Sequence, residues 1–600
     1  MRKIYTMLFV AISATASAQE DTTKAKQLEE VVVTGQFRPQ SVKNSVYQVR
    51  TIRKERIQKQ GATKLQDVLN NELNIRFQQD PSLGGADITM LGMTGQSVKI
   101  LIDGLPIIGR QGTSNEININ QIDINTIERI EIVEGPMSVV YGSDALAGVI
   151  NIITKKSAAA KWAVTARVQE ETIGKEYGIK QGIHNQYAGA SWRNKKWEIG
   201  GGIGYNYFGG WKGAAIDREL TWNFKDQITG NGYIGFSTGK FNIRYRFDGL
   251  DEIVYNPGNF IKEDANAADT FAPDQEYLSK RLMQQIQANY FVNKNLSFSA
   301  QAAYTDYKRE TSTTQVSKNN VNTTLDPGGS QGESKFNGFT FRATAQYRLS
   351  SLFTFQPGVD INLESGDGER LKIGSNKVND YAFFLSSEIT PSKKISIRPG
   401  IRVIKNSVYD APPVIPSINA KIALSKNLDL RFAYARGFRA PTVRELYFDF
   451  FDANHNIKGN PDLEAETSHS ATASLTWSKI DPRQVVYTTV LSTYYNDVDN
   501  MIDYAQSASD PNVFQLTNLY NSKTAGASIN TLVKYKQWNF SVGGSMTGFY
   551  NLYSEADSSL PTMQWSPEAN LTAGYTFNKI GLSANLFYKL TGKRPSYVVD

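Results

Sequence analysis

From about residue 160 onward, apolar and polar residues alternate along the chain with a period of two. The segment FNIRYRF, residues 241–247, places its aromatic and aliphatic side chains on one face and Arg244 and Arg246 on the other. Such alternation predicts β-strands with one face against an apolar medium and the other face in water. The same pattern recurs at residues 339–349, 428–435, 538–542 and 582–588.

These predicted strands recur without a break that would separate two domains. A soluble β-sandwich is the simpler alternative. The length of the strand-rich region and the unpaired arginines on its polar face instead favour a barrel with a wet lumen. A closed barrel satisfies every backbone group inside a membrane and tolerates charges in its interior.

The connections between predicted strands are of two kinds. Turn-like links at residues 425–427 and 578–579 are short, whereas the polar stretches at residues 251–278 and 310–335 predict long loops. Short turns on one side and long loops on the other are typical of outer-membrane barrels.

Residues 36–156 have the pattern of a compact α/β domain. The segment TKLQDVLN, residues 63–70, predicts a short amphipathic helix, and VKILIDGLP, residues 98–106, predicts a strand that runs into an Asp-Gly turn. Residues 127–156 read IERIEIVEGPMSVVYGSDALAGVINIITKK. This string predicts two short apolar strands, a turn at Gly135-Pro136, and an exposed YGSDALAG segment.

The N-terminus resembles a secretory signal peptide covering residues 1–18. Arg2 and Lys3 precede a largely apolar run that is too short to span a bilayer, and residues 16–18, Ala-Ser-Ala, fit a small-residue cleavage site. Because the chain contains no cysteine, it cannot carry a lipoprotein anchor, a disulfide or a thiolate metal site. We therefore expect an exported protein.

Composition narrows the class further. No window holds the run of about 20 apolar residues that a membrane-spanning helix needs, which argues against a helical membrane protein. The net charge of +7 is spread over the chain rather than clustered, so we expect no nucleic-acid partner. Three histidines and the absence of nucleophile-elbow, zinc-protease and phosphate-loop motifs predict that the protein is not an enzyme.

Three strings together resemble the TonB-dependent outer-membrane receptors: residues 127–156, the LIDGLP element, and the pair FRAP and NPDL at residues 438–441 and 460–463. The resemblance implies plug-motif residues and barrel-motif residues. The plug set is Asp103, Gly104, Arg129, Glu131, Gly135, Pro136, Tyr141 and Gly142. The barrel set is Arg439, Pro441, Glu445, Asn460, Pro461 and Glu466.

The resemblance implies a β fold, a large transmembrane antiparallel β-barrel occluded by an N-terminal α/β plug in the bacterial outer membrane. We predict a signal peptide at 1–18, a periplasmic N-terminus at 19–35, the plug at 36–156 and the barrel at 157–600. Family barrels close with 22 strands, and fewer strands can be counted in the sequence. We therefore expect the barrel to be incomplete, because the chain is truncated at its C-terminus.

The segment LEEVVVTG, residues 28–35, resembles the TonB box of this family, and we call it the candidate TonB box. An extended segment at a periplasmic end can add itself as a strand to a partner's sheet. The implied partners are TonB and its inner-membrane energising complex, together with outer-membrane lipid; the alternative is an ordinary plug strand. Its residues are Leu28, Glu29, Glu30, Val31, Val32, Val33, Thr34 and Gly35.

One position departs from the family. Leu91 stands before Gly92, where many relatives carry an arginine that pairs with barrel carboxylates. The sequence therefore does not show which residue, if any, takes over this contact between plug and barrel.

The resemblance implies active import of a scarce metal chelate: haem, cobalamin or a ferric siderophore. Candidate ligand-binding residues lie at the plug apices and between the two barrel boxes, where an imidazole can coordinate haem iron. They are Gln78, Gln79, Arg110, Gln111 and His455. No resident cofactor is expected. The carboxylates of Asp80 and Asp87 could bind Ca²⁺, but two loop carboxylates are more often ordinary surface residues, and we favour that interpretation.

Two alternatives remain at this point. The chain resembles a transporter, but a surface receptor or adhesin that binds without transport would share its motifs. A glycan importer of the same family is disfavoured because the candidate TonB box follows the signal peptide almost at once. Cooperation with a surface lipoprotein is left open.

Overall fold

The fold is taken from a computed structural model of the chain. It describes residues 31–80, 84–109, 117–158, 160–172, 178–213, 218–260, 270–318, 323–325, 331–368, 370–372, 374, 376–451, 456–506, 510, 512–555 and 558–593. The predicted signal peptide lies outside these residues. Among them, no helix has the length and apolar character to cross a bilayer.

The N-terminal part is a compact arrangement of short strands and helices, which we call the plug. Its strands are β1 (Val31–Val32), β2 (Gln40–Ser41), β3 (Val49–Arg53), β4 (Ile75–Asp80), β5 (Gly85–Met90), β6 (Met93–Thr94), β7 (Val98–Ile102), β8 (Leu105–Pro106), β9 (Ile127–Glu134) and β10 (Gly148–Thr154). Its helices are α1 (Lys54–Lys59), α2 (Leu65–Leu69) and α3 (Ser138–Tyr141), with short 3₁₀ turns at Gly95–Ser97, Ile119–Gln121 and Ile124–Thr126.

The main plug sheet has the strand order β3-β9-β10-β7-β8. Strand β10, GVINIIT, is buried at every position, as expected for an apolar run in the middle of a sheet. It pairs antiparallel with β9 and parallel with β7. The predicted helix at 63–70 is present as the shorter α2, which buries Leu65, Val68 and Leu69.

The YGSDALAG segment is not exposed, so that prediction was wrong. Ala145, Leu146 and Ala147 have no exposed surface, because the segment is bonded to the plug backbone at Met137 and lies against the barrel wall at Gly437. The amide of Asp144 donates to the backbone oxygen of Phe438 in the wall at 3.2 Å. A short apolar run in a loop cannot be recognised as buried from periodicity alone.

The rest of the described chain is almost entirely strand. The strands are β11 (Trp162–Glu171), β12 (Ile183–Arg193), β13 (Trp197–Phe208), β14 (Phe224–Ser237), β15 (Phe241–Asn256), β16 (Phe271–Phe291), β17 (Leu296–Ser317), β18 (Thr323–Leu325), β19 (Gly332–Arg348), β20 (Phe353–Gly368), β21 (Asn376–Ser392), β22 (Ile395–Asn406), β23 (Ile415–Ser425), β24 (Leu428–Arg439), β25 (Asp449–Phe451), β26 (Asn456–Lys458), β27 (Glu466–Ile480), β28 (Val486–Gln506), β29 (Phe514–Tyr535), β30 (Trp538–Tyr550), β31 (Met563–Phe577) and β32 (Leu582–Thr591). One helix, α4 (Val443–Tyr447), and a 3₁₀ turn at Leu552–Glu555 interrupt them.

These strands form one sheet of 22 strands in chain order, from β11 to β32. Three of them, β18, β25 and β26, have three residues each and lie in connections. The others have 10 to 22 residues, and neighbours in the sequence pair antiparallel, with β17 joined to β19 and β24 to β27 across the short ones. Among the described residues, β11 and β32 are the two ends of this order.

The alternation read from the sequence corresponds to the two faces of this sheet. On β17, Ala303, Thr305 and Tyr307 are buried towards the plug, whereas Phe298 and Tyr304 point outward and are exposed. Aromatic residues of the outer face cluster near the short turns, as in the contacts of Trp538 with Phe540 and Tyr575. A belt of this kind is typical of a barrel in a bilayer, and the predicted fold class is confirmed.

The inward-facing arginines of FNIRYRF are paired, contrary to the expectation from the sequence. Arg246 donates from Nε to Asp248 at 2.7 Å, and Arg244 lies 3.6 Å from Glu198. The partners stand on the same strand or on a strand that is distant in sequence. Arg246 and Asp248 share a face because they are two positions apart on one strand, whereas the proximity of Arg244 to Glu198 depends on strand register, which the alternation alone does not give.

The two kinds of connection are present, but the long loops are shorter than predicted. Strand β15 runs to Asn256 and β16 begins at Phe271, so strand pairing extends far into the stretch at 251–278. In the same way, β17 continues to Ser317 and β19 begins at Gly332. Polar strands that project beyond the apolar belt lose the alternation signal and resemble loops in the sequence. We refer to the short-turn end and the long-loop end of the barrel.

Gly148, at the start of β10, offers a direct test of plug packing. Its φ is +144°, and a Cβ there would lie 2.2 Å from the backbone oxygen of Val133. We expect Gly148→Ala to destabilise the plug by at least about 2 kcal/mol. The measurement is the urea concentration at which a protease begins to cut the plug of the purified protein. Gly239→Ala, in a short turn with open space around the site, should leave that concentration unchanged; equal behaviour of the two variants would contradict this account.

Candidate functional site

The described part of the candidate TonB box, Val31 to Gly35, is docked on the plug through one carboxylate. Glu131 on β9 has no exposed surface and accepts hydrogen bonds from the amides of Val33 and Thr34 at 3.0 and 2.8 Å. It also accepts from Thr34 Oγ1 at 2.6 Å and from Arg129 Nε at 2.7 Å. Bonds to a charged acceptor are stronger than those between neutral groups, so Glu131 is the main attachment point of the box.

Two further contacts hold the end of the box. The Tyr141 hydroxyl accepts from the amide of Gly35 at 2.9 Å, and the barrel residue Arg398 donates to the backbone oxygen of Gly35 at 2.5 Å. Burial raises the pKa of Tyr141 to about 12. The box thus contacts both the plug and the barrel wall.

The box lies at the short-turn end of the barrel. Arg398 is three residues from the start of β22, and Arg38 donates to the backbone oxygen of Lys294 in the turn between β16 and β17. Leu28, Glu29 and Glu30 lie outside the described residues. Val31 and Val32 pair with Ser41 and Gln40 as the two-residue strand β1, so the box is extended but belongs to no large sheet.

The predicted plug-motif residues fall into two groups. The first group surrounds the box and consists of Arg129, Glu131, Tyr141 and Gly104. Gly104 is linked to the box through Asn151, which accepts a hydrogen bond from the Gly104 amide and donates one to Thr34. Asp103 attaches the turn between β7 and β8 to the end of β10. Its carboxylate accepts hydrogen bonds from the amide and the hydroxyl of Thr154 at 2.9 and 2.6 Å.

The second group lies where the plug approaches the wall. Gly135 and Gly142 have φ values of +97° and +79°. A Cβ at Gly135 would lie 2.8 Å from Thr472, and one at Gly142 would lie 3.0 Å from Arg402, so both glycines are places of close approach to the barrel. Pro136 is buried beside Gly135.

A second carboxylate, Glu568 on β31, anchors the opposite side of the plug. Arg76 on β4 donates from Nε to Glu568 at 2.5 Å, and the amide of Asn74 donates to it at 2.8 Å. Lys589 on β32 lies 3.6 Å from Glu568 and donates to the backbone oxygens of Glu72 and Ile75. Neither Arg76 nor Glu568 was identified from the sequence, because 492 residues separate them and no motif contains both.

This anchor shows which residue pairs with the barrel carboxylate in a chain that has Leu91 where many relatives have an arginine. Leu91 offers no charge, and its backbone oxygen accepts from the hydroxyl of Thr524 on β29 at 3.0 Å. The cation that pairs with the barrel carboxylate comes instead from Arg76, on a neighbouring plug strand. The contact is retained in a different form.

The barrel-motif residues join the FRAP and NPDL strings through one buried cation. Arg439 donates from Nη1 to Glu445 at 2.9 Å and from Nη2 to Glu466 at 2.6 Å, and all three side chains are buried. Glu445 also caps α4, since it accepts from the amide of Thr442 at 2.9 Å. This network fixes the loop after β24 inside the barrel.

The remaining motif residues have smaller roles. The amide of Asn460 donates to the backbone oxygen of Glu445 at 2.9 Å, and Pro461 after it is exposed. Pro441 lines a cavity between plug and wall that also contains Lys99 and Asp144, whose charged atoms are 3.1 Å apart.

Among the predicted ligand-binding residues, only Gln78 and Gln79 can be located. Both are exposed on β4, opposite Asp87 and Ala86 of β5, at the long-loop end. Arg110, Gln111 and His455 lie outside the described residues.

The acidic pair at this apex remains weak as a metal site. Burial and the neighbouring charge of Asp80 raise the pKa of Asp87. Nowhere in the part of the chain that the structure describes do three His, Cys, Asp or Glu side chains gather around a common point. The Ca²⁺ interpretation stays a prediction.

The described geometry is therefore a barrel filled by a plug, with an extended segment docked at one end and an exposed hairpin at the other. Comparison with known families matches residues 41–149 to the TonB-dependent receptor plug domain and residues 210–600 to the TonB-dependent receptor-like β-barrel. The chain belongs to the TonB-dependent receptor family.

Relatives of this TonB-dependent receptor include a vitamin B12 transporter of Vibrio vulnificus, 25% identical over 494 residues, which cover 79% of this chain and 70% of that protein. An iron-regulated outer membrane virulence protein of Vibrio cholerae is also 25% identical, with 78% and 69% covered. Among solved structures, the ferric enterobactin receptor of Pseudomonas aeruginosa superposes with a TM-score of 0.71 at 16% identity, covering 88% and 86% of the two chains.

Membership establishes the setting of the receptor. It is an outer-membrane protein of a class of transporters and receptors, not of enzymes, and its family implies an interaction with TonB. The short-turn end is therefore periplasmic and the long-loop end extracellular. The exact residues that TonB contacts, and the predicted domain boundaries, remain predictions.

The role of Glu131 can be tested by releasing the candidate TonB box. We expect Glu131→Gln to weaken docking by about 1.5–3 kcal/mol, because its bonds lose their charged acceptor. A nitroxide label on Val31→Cys reports the release as increased mobility, and the label is unique because the chain has no cysteine.

Glu128→Gln is the matched control for this measurement. Glu128 lies on the same strand, is partly exposed and pairs with Lys54 at 3.0 Å. The label should keep its wild-type mobility in that background. Equal spectra for Glu131→Gln and Glu128→Gln would show that Glu131 does not hold the box.

The anchor at Glu568 predicts a looser plug when its charge is removed. Glu568→Gln removes the counter-charge of Arg76 and Lys589, and breaking a buried pair costs on the order of 3–5 kcal/mol. We expect the purified receptor in a planar bilayer to show open-channel conductance at a lower urea concentration than wild type. Glu310→Gln, at a half-exposed site paired with Lys308, should not shift that concentration.

Proposed function

We propose that this receptor imports a metal chelate, a ferric siderophore or a cobalamin, across the outer membrane with energy delivered through TonB. The observation that carries the proposal is the arrangement of the candidate TonB box. It is docked at the periplasmic end by Glu131, on a plug strand whose neighbour β10 forms the plug core. A pull on the box acts directly on that core.

The filled lumen explains why energy is needed. The plug core packs against buried barrel residues such as Met283, Ala303 and Tyr494, so it occupies the lumen through which a chelate has to pass. Charged anchors at Glu568 and Arg398 hold the plug to the wall. The outer membrane has no nucleotide supply of its own, so force from the inner membrane is the available means of moving the plug.

The box is suited to exchange between partners. Strand β1 pairs with only the two residues of β2, and Val31 is 46% exposed. A segment with so few backbone bonds can leave β2 and add to the edge of a TonB sheet at little cost. Its remaining attachments are the bonds to Glu131 and, at Gly35, those to Tyr141 and Arg398.

The cargo is inferred from relatives and from the histidines. The named relatives are a vitamin B12 transporter, an iron-regulated virulence protein and a ferric enterobactin receptor. Two of the three histidines are engaged by neighbours: His184 with Glu170, and His469 with the Tyr434 hydroxyl at 2.9 Å. The haem hypothesis therefore rests on His455 alone, and we favour a ferric siderophore or a cobalamin.

Strand exchange at the box can be tested with proline. Val31→Pro removes a backbone donor from an exposed position, so strand addition to TonB should fail while the plug core stays intact. We expect uptake of radiolabelled cyanocobalamin or ferric enterobactin, whichever is imported by wild type, to be abolished. Binding of the same chelate to purified protein should be retained.

Ile179→Pro is the matched control. Ile179 is exposed in an extracellular turn, where the amide of Gln181 donates to the backbone oxygen of Gly178, and proline suits the second position of such a turn. Its uptake should equal that of wild type. Normal uptake by Val31→Pro would contradict energised import through this segment and favour a receptor that only binds.

A further inference from the structure

The short turns at the periplasmic end carry a ring of cations. Nine turns of two to five residues join neighbouring long strands at this end of the described barrel. Eight of them contain lysine or arginine, and the ninth, at 349–352, directly follows Arg348. The turns at 194–196 and 393–394 contain two lysines each. The other six turns contain Lys240, Lys294, Lys426, Arg483, Lys536 and Lys579. We call these ten residues and Arg348 the turn cations.

The turn cations have almost no counter-charge within the protein. Asp481 is the one carboxylate in these turns, and it lies 3.6 Å from Arg483. The lysines of the turns are exposed, and none forms an ion pair with a carboxylate in the part of the chain that the structure describes. Arg348 is also exposed, and its Nε donates to the neutral backbone oxygen of Ser350 at 3.3 Å. Like charges at one level repel each other, so anions beside them are stabilising.

The aromatic belt places the turn cations at the level of lipid headgroups. Trp197 directly follows one of the short turns, and its ring lies 4.7 Å from that of Phe236. Trp538 directly follows another, and its ring lies 4.5 Å from that of Tyr575. Belts of Trp and Tyr mark the boundary between hydrocarbon and water. The cations just beyond the belt therefore face the phosphate groups of the periplasmic leaflet.

An apolar groove of about 390 Å³ opens on the lipid-facing side of the wall, between β15 and β21. Its floor is low because Ala288, Ala300 and Ala343 are direct cross-strand partners. Tyr290 and Phe298 border its periplasmic end, and each is 46% exposed. The volume is in the range of small-molecule pockets, and hydrocarbon is the medium that fills it at this depth of the membrane.

Three of the turn cations lie at the periplasmic end of this groove. Phe298 on its border is four residues from Lys294 along the chain. The amide of Phe291 donates to the backbone oxygen of Lys240 at 2.7 Å, and the amide of Arg348 donates to the Lys294 turn at 2.8 Å. The turns that contain Lys240 and Lys294 and the strand end at Arg348 are therefore immediate neighbours. A cationic end beside an apolar groove matches a phospholipid, which carries its phosphate at one end of its hydrocarbon chains.

We propose that Lys240, Lys294 and Arg348 bind the phosphate of an anionic phospholipid in the periplasmic leaflet, while one of its acyl chains lies in the groove over Ala300 and Ala343. An anionic lipid is favoured over a zwitterionic one, because a zwitterionic headgroup brings its own cation into a surface that is already positive. The remaining turn cations add a general attraction for the same lipids. Such a site does not depend on which chelate is imported.

The headgroup preference can be measured by native mass spectrometry of the purified full-length receptor. The two probes are palmitoyl-oleoyl phosphatidylglycerol, which is anionic, and phosphatidylethanolamine with the same chains, which is zwitterionic. We expect wild type to bind the anionic probe at least about tenfold more tightly, because each nearby cation adds to the attraction of an anionic lipid. The triple variant Lys240→Gln, Lys294→Gln, Arg348→Gln should bind the two probes within about threefold of each other.

The matched control removes three cations from the other end of the barrel. Lys377, Lys405 and Lys458 are exposed at the extracellular end and have no ion pair within the described residues. Changing all three to Gln lowers the net charge equally and should keep the wild-type preference. Lys240→Arg combined with Lys294→Arg should keep it as well, because the charges remain. Heat-dependent electrophoretic mobility verifies folding, and Lys294→Gln with Lys405→Gln as its control replaces the triple variants if these do not fold.

The groove is tested by filling it. Ala343→Phe adds a ring at its floor and leaves every charge in place. We expect both probes to bind at least about fivefold more weakly, because the acyl chain loses apolar contact area, while the anionic preference remains. Ala190→Phe is the control, since Ala190 is exposed on β12, outside the groove. Its affinities should equal those of wild type.

Each outcome decides between a lipid and another use of the turn cations. Absent or equal binding of the two probes by wild type, or equal preference in the two triple Gln variants, would refute the headgroup site. Equal effects of Ala343→Phe and Ala190→Phe would refute the groove as the place of the acyl chain. If the variant of Lys240, Lys294 and Arg348 instead loses binding to purified peptidoglycan and keeps its lipid preference, an anionic wall polymer is the partner and the lipid site is refuted.

Discussion

The hydrocarbon core of a membrane offers no partner to a backbone amide, and the whole molecule is organised by that constraint. Its strands pair in one continuous sheet, so that the outer face can be apolar while the inner face is polar. A polar inner wall in turn needs polar partners. The plug supplies them at Arg76, which meets Glu568, and at Asp123, which accepts from the hydroxyl of Thr229 at 3.0 Å.

The same constraint makes the plug removable. Besides apolar packing against residues such as Met283 and Ala303, its contacts with the wall include hydrogen bonds and ion pairs, as at Glu568 and Arg398, which water can replace one by one. Its own core, by contrast, is the apolar cluster around β10, including Ile150 and Ile152. A pull can thus displace or remodel the plug at its polar margin before it disrupts the apolar centre.

The sequence predicted the features that are encoded locally, either by a repeating pattern or by a short motif. The alternation of FNIRYRF revealed the strands, and LIDGLP revealed the turn that Asp103 closes. It could not predict the pairing of Arg76 with Glu568, because that contact depends on how strands hundreds of residues apart are placed. The buried YGSDALAG segment was missed for a related reason, since its cover is the distant barrel wall.

The docking of residues 31–35 on Glu131 has a mechanical consequence. Tension on the N-terminus reaches the two-residue pairing of β1 with β2 and the bonds to Glu131 on β9 before it reaches β3. When these contacts yield, the load passes to the segment before Val49, which is itself held: Arg431 of the wall donates to the backbone oxygens of Ser45 and Lys43 at 3.1 Å, and Tyr47 is buried. The N-terminal segment is therefore released in successive steps, each of which breaks a few contacts before the force arrives at the central plug sheet.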